Sequence, residues 1–137
     1  MMKKELKIIM LVDDDQNDNF FHEREIKKIN PAITVIEKRT GLDGLEYLKL
    51  NKENKEVVPD LIFLDINMPI LDGWDFLEKY NQFDKELQDL VVIIMLSTSG
   101  YPEDIARAMS YSCVSDYIIK PLTKEKLESI NRKYFNG

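Results

Sequence analysis

Residues 7–15 read KIIMLVDDD, a run with no polar side chain between Ile8 and Val12 that stops at Asp13, Asp14 and Asp15. A half-exposed strand alternates apolar and polar side chains, whereas a strand covered on both faces is apolar throughout. The run is therefore the pattern of a strand in a parallel sheet with helices on either side. The acids mark where that strand ends.

Four more short apolar runs follow, at 33–37 (ITVIE), 61–64 (LIFL), 90–96 (LVVIIML) and 117–119 (YII). Helical patterns separate them. Residues 16–29 precede the stop signal Asn30-Pro31, with Phe21, Ile26 and Ile29 on one arc and Phe20 off it. Leu45 and Leu48 stand at helical spacing within 42–50, as do Trp74, Leu77 and Tyr80 within 74–80. Pro102 opens a helix over 102–111 with Glu103 and Asp104 in its first turn, which suits a helix N-terminus. Thr123 is placed to cap a last helix over 123–135, which lines up Leu127, Ile130 and Tyr134. The order is strand–helix five times over, and right-handed crossovers then make the strands parallel. The fold class expected is α/β, a doubly wound five-stranded parallel sheet. Residues 51–58 are polar and read as a surface loop. The two residues after Phe135 leave no room for an output domain, so one domain over 1–137 is expected.

Bulk properties narrow the class. At 137 residues, with 44% hydrophobic and 32% charged side chains, the chain can bury a core and is not of disordered composition. A net charge of −6 argues against a nucleic-acid surface, which needs clustered excess Lys and Arg. Cys113 is the only cysteine, so no internal disulfide can form, which suits a reducing cytosol; its side chain reads as a small buried apolar group. The start Met1-Met2-Lys3-Lys4 is basic, but the run behind it is too short for a signal peptide and far from the roughly 20 apolar residues of a membrane span. A cytoplasmic protein without a membrane partner is expected.

The strand ends carry the chemistry. They bring Asp13-Asp14-Asp15, Asp65, Ser97-Thr98-Ser99 and Lys120-Pro121 to one edge of one sheet, where doubly wound folds bind ligands. Each group alone is more often a cap or a solvated turn; four strand ends together are not a coincidence of that kind. Several carboxylates within a few ångström repel one another unless a cation joins them. Magnesium takes one or two carboxylates and keeps waters and a place for a phosphoryl oxygen. An Asp carboxylate can itself attack phosphorus. Phosphoryl transfer then needs mainly positioning and charge stabilisation, which a lysine, a hydroxyl and a divalent cation supply.

With these residues in place, the chain resembles the CheY-like receiver domains of two-component response regulators, from Leu6 to about Phe135. The resemblance rests on IIMLVDDDQND (8–18), PDLIFLDINMPILDGWDFL (59–77), VVIIMLSTS (91–99) and VSDYIIKPLT (114–123), and most specifically on Asp65, Met68, Pro69, Asp72 and Gly73. It implies a flavodoxin-like sheet of order 2-1-3-4-5. It implies Asp65 as phosphoacceptor and Mg2+ held by Asp14 directly, by Asp13 largely through water, by Asp65 and by the Asn67 carbonyl. Ser97 and Lys120 would serve the phosphoryl group, Pro121 would follow a cis bond, and Asp15 would start the first helix. Ser97 and Tyr117 would form the switch, changing the face made by the helix from Pro102, the last strand and the helix from Thr123. The donor would be a sensor histidine kinase or a histidine phosphotransfer protein. The output would be an unidentified downstream protein, or a second copy in a homodimer. The chain would be a signalling switch and not an enzyme, catalysing only its own phosphorylation and dephosphorylation.

Some positions depart from the pattern. Thr98 stands where a small residue is usual and Cys113 near a usual Gly; with Asn67 and Ser99, Thr98 bears on how long the phosphoryl group survives. His22, the only histidine, falls on the inward arc of the first helix and reads as structural. Two other readings compete: a pseudo-receiver that binds partners unphosphorylated, and a haloacid-dehalogenase-type phosphatase using Asp13. The second leaves the segment around Asp65 unexplained and finds Asn17 where that family has Thr or Val.

Overall fold

The computed structural model describes residues 4–137; the amino-terminal Met1–Lys3 of the basic start lie outside the described residues. Five strands, β1 (Ile8–Val12), β2 (Thr34–Lys38), β3 (Leu61–Leu64), β4 (Val92–Ser97) and β5 (Val114–Ile119), form one sheet in the order β2-β1-β3-β4-β5. All four pairings are parallel. The helices are α1 (Gln16–Ile29), α2 (Gly41–Asn51), α3 (Gly73–Tyr80), α4 (Lys85–Leu90), α5 (Pro102–Met109) and α6 (Lys124–Tyr134).

Because strand side chains alternate faces, the apolar runs feed two cores. Met10, Val12, Ile62, Leu64, Ile93 and Met95 face α2 through α5, packing on Leu45, Leu48, Phe76, Leu77, Tyr80, Leu87 and Ala108. Ile9, Leu11, Leu61, Phe63, Ile94 and Leu96 face α1 and α6, packing on Ile26, Leu127, Ile130 and Phe135. Each such fully buried aliphatic or aromatic side chain stabilises the fold by about 1.5–3 kcal/mol. Caps set the helix starts: Asp15 for α1, Thr40 for α2, Asp72 with Asp75 in a reciprocal capping box for α3, and Thr123 for α6. Glu25 of α1 accepts the Lys124 amide at 3.0 Å, so α1 also caps the start of α6.

The structure corrects several sequence expectations. α4 was not anticipated; it ends at Leu90, which had been placed in the following strand. The face expected to switch is therefore α5–β5–α6. β5 starts three residues early, at Val114, because the polar pair Ser115-Asp116 lies within it. The register slips there, Ile93 facing Val114 and Ile94 facing Asp116. On α1, Phe21 is exposed, and the inward stripe is Asn19, His22, Glu25 and Ile26. Three of these four are polar, and Asn19 and Glu25 face the site end and α6 instead of pure core, which hydrophobic periodicity alone does not reveal. The 51–58 loop is not wholly on the surface, since Val58 is buried, and Cys113 is half-buried against the core. No described helix is long and apolar enough to cross a membrane.

Candidate functional site

The sheet order reverses between β1 and β3, and the site lies at their carboxyl ends. The Asp65 amide donates to the Val12 carbonyl at 3.0 Å and the Asp13 amide to the Lys38 carbonyl at 3.0 Å. These ladder bonds set Asp65 beside Asp13. Both are buried, at 6% and 4% exposure, while Asp14 lies exposed at the mouth. Asp15 turns away to accept the Asn17 and Asp18 amides at 3.0 and 3.1 Å, as expected of a helix cap. Its own amide donates to Asp13 Oδ1 at 2.9 Å. Asn19, one turn into α1, donates through Nδ2 to the Asp13 carbonyl at 2.9 Å.

Lys120 comes from beyond β5. Its backbone amide donates to the Ser97 carbonyl at 2.8 Å, and the Lys120–Pro121 bond is cis as expected. Its Nζ lies 2.7 Å from Asp13 Oδ2, 2.8 Å from Asp18 Oδ2 and 3.7 Å from Asp65 Oδ2. Burial would lower its pKa, but the hydrogen bonds to Asp13 and Asp18 override this and hold it above the usual lysine range, so it stays charged. Burial pushes the Asp65 carboxyl up to about 6, Asp13 adds to the rise, and Lys120 opposes it. Asp13 is also raised, by burial, against the pull of Lys120. One oxygen each from Asp13, Asp14 and Asp65 lies within 4.8 Å of the others. Opposite oxygens on a six-coordinate magnesium stand about 4.2 Å apart, so the group fits a small hard cation.

Ser97 ends β4 fully buried, and its Oγ accepts the Ser99 amide at 3.1 Å. Ser99 is a node: its Oγ donates to Asp104 of α5 at 2.5 Å, and its carbonyl accepts the Tyr117 hydroxyl at 2.8 Å. Asn67 and Thr98 are exposed beside the site. Asp13, Asp14, Asp65 and Lys120 thus converge, with Ser97 and Tyr117 joined through Ser99.

The sequence matches the response regulator receiver domain family over residues 9–132. The chain belongs to that family. It is 31% identical over 129 residues to the sensor histidine kinase CheAY of Helicobacter pylori, a match covering 92% of this chain and 15% of that protein. The receiver thus spans less than a sixth of that kinase's length. Its fold is similar to a two component response regulator from Cytophaga hutchinsonii, with a TM-score of 0.88, 26% identity, and 98% and 100% of the two chains covered. It is also similar to the Mn(2+)-bound form of a response regulator, at TM-score 0.74 and 25% identity over 95% of each chain. The family is one of signalling receivers.

Two residues of this receiver site escaped the sequence reading. Asp18 reaches Lys120 and Asn19 holds the Asp13 backbone; both lie one turn from the acidic run, which is the signal that could have found them. A third feature is Ile70, at φ 69° and fully exposed, a β-branched residue in left-handed backbone between Asp65 and α3. His22 is buried, its Nδ1 has no partner among the described residues, and burial lowers its pKa to about 4, in keeping with a structural role.

Proposed function

We propose that this receiver accepts a phosphoryl group on Asp65 and thereby alters its α5–β5–α6 face. The observation that carries the reading is the buried Asp65 carboxyl beside Asp13 and Asp14, with the Lys120 ammonium 3.7 Å away. An Asp65 oxygen bonds to phosphorus as the donor's phosphorus–nitrogen bond breaks, or its phosphorus–oxygen bond with acetyl phosphate, and the leaving group takes the electron pair. Lys120 offsets charge on the phosphoryl oxygens, and the Ser97 hydroxyl donates to one of them. Asp13, Asp14, Asp65 and the Asn67 carbonyl would hold Mg2+, which supplies charge neutralisation for the transfer. The similar Mn(2+)-bound structure supports a divalent ion here. The donor is a histidine kinase or histidine phosphotransfer protein of the cytoplasm.

The switch follows from the Ser99 node. When the Ser97 hydroxyl turns to the phosphoryl group it gives up the Ser99 amide, and the loop that holds both Tyr117 and Asp104 is released. Tyr117 already reaches this loop, half-buried, so the change is in an existing contact and not an entry from solvent. A downstream protein or a second copy then meets a different surface.

The test is intact mass after incubation with Mg2+ and acetyl phosphate, beside Asp65→Asn. A phosphoryl adduct that needs Mg2+ and is absent in the variant is expected. No adduct in the parent would favour a pseudo-receiver, and an adduct persisting in the variant would point to another aspartate, such as Asp13.

A further inference from the structure

Lys120 is shared more widely than phosphoryl transfer requires. Its ammonium touches Asp13 and Asp18 at hydrogen-bonding distance and stands off from Asp65 at 3.7 Å. Asp18 is neither at a strand end nor in the acidic group that fits a cation. Its place follows from α1. Asp15 caps the helix and takes the Asp18 amide, so the Asp18 side chain is not needed as a cap and can reach across to the loop after β5. A carboxylate in a first turn is also favoured by the helix dipole.

The two short contacts of Lys120 differ in how readily they break. The Asp13 side chain is 6% exposed and that of Asp18 36%. Releasing Asp13 strands a buried carboxylate, whereas a released Asp18 is taken up by water. A phosphoryl group on Asp65 carries roughly −1.5 to −2 charges against one on Asp18, and it would sit on the side where Lys120 now stands off. We propose that Asp18 is a positioning residue which competes with the phosphoryl group for Lys120 and so favours the unphosphorylated form. The proposal rests on Asp65 being the phosphoacceptor. Each phosphorylation then exchanges the Lys120–Asp18 pair for a Lys120–phosphoryl pair, and the strength of the first sets how tightly the second is held.

The experiment is calorimetric titration of the full chain with beryllofluoride, a phosphoryl mimic, at saturating Mg2+. Asp18→Asn is expected to bind about three- to tenfold more tightly than the parent. Asp18→Glu keeps the charge and the reach and is expected to stay within about twofold. Asp15→Asn is the control for general charge: asparagine still caps a helix, the same charge is lost at the same helix end, and no contact to Lys120 is removed. It too is expected within about twofold. Unchanged or weaker binding by Asp18→Asn overturns the proposal, as does an equal gain in Asp15→Asn. A parent that binds no beryllofluoride overturns the Asp65 reading and this proposal together; a parent that binds while Asp18→Asn matches it overturns this proposal alone.

Discussion

Asp65 and His22 are two buried titratable side chains whose pH effects have opposite signs. The Asp65 carboxyl titrates at about 6 in the folded chain because burial, then Asp13, disfavours its charge; an unfolded aspartate titrates near 4. Between those values the folded state keeps a proton that the unfolded state has lost. The associated stability is whole below about pH 4 and is lost as pH rises through 6. At pH 7.5 without divalent cations, Asp65→Asn should therefore raise the unfolding free energy by about 1–3 kcal/mol in urea denaturation. The gain should shrink at pH 4 and on adding Mg2+; a variant no more stable than the parent at pH 7.5 would contradict this. His22 titrates at about 4, lowered chiefly by burial and next by the Lys120 charge. Its folded form refuses a proton that the unfolded form takes, so stability is whole above about pH 6.5 and falls toward pH 4, by about 3 kcal/mol. His22→Leu should lose less stability between pH 7 and pH 4.5 than the parent. Equal losses would mean that another group governs the acid limb. The convergence of Asp65 and Lys120 was legible in the sequence because their residue types sit at strand ends. The Asp18 contact was not, since it depends on how the first turn of α1 meets a loop more than one hundred positions away.

At the scale of elements, the link from β3 to α3 carries opposing local demands. A Cβ on Gly73 would stand 2.5 Å from the Asp65 carbonyl oxygen and 2.8 Å from Ile66 Cα, both backbone atoms that can shift only by moving the segment. The Gly73 amide meanwhile donates to the Ile66 carbonyl at 2.8 Å, holding that close approach. Gly73→Ala should cost about 1–3 kcal/mol of stability and weaken beryllofluoride binding, because the segment that must move carries Asp65. A thermal melt and a titration unchanged from the parent would show that the link yields elsewhere. Ile70 is the reverse case, a β-branched side chain in left-handed backbone that buries nothing. Ile70→Asn should stabilise the chain by about 1 kcal/mol, since asparagine tolerates that conformation. The strands were legible because continuous apolar runs have few other readings. α4 was not: its six residues include one buried side chain, Leu87, too few to show a helical period. β5 was truncated because Ser115-Asp116 mark a register slip that no apolar pattern can signal. On α1 the misplaced Phe21 arose because three of the four inward residues are polar, with Asn19 serving the site and Glu25 the cap of α6.

Over the whole molecule, the site around Asp65 and the α5–β5–α6 face are joined by short-range contacts that can be followed residue by residue. Ser97 holds the Ser99 amide, and Ser99 holds Asp104 in the first turn of α5. Further along α5, the Arg107 guanidinium lies 4.2 Å from the centre of the Trp74 ring. Tyr111, just past the helix, stacks on Trp74 at 6.5 Å and donates to Glu78 of α3 at 2.6 Å. One end of α5 is thus tied to the Ser97–Ser99 loop and the other to α3, which leaves the Asp65 link directly. A rigid two-turn helix pulled at its first turn must change its contacts at its last. Trp74 is the only tryptophan, so tryptophan emission comes from this one position, where Arg107 and Tyr111 pack on it. Saturation with beryllofluoride and Mg2+ should shift or quench Trp74 fluorescence in the parent. Ser99→Ala should bind the mimic yet respond about half as strongly or less, because the tie to Asp104 is gone. Arg107→Ala should alter the resting emission and lose most of the response. If the parent binds the mimic with its emission unchanged, α5 stays fixed on α3, and any surface change must then travel through Tyr117 and β5.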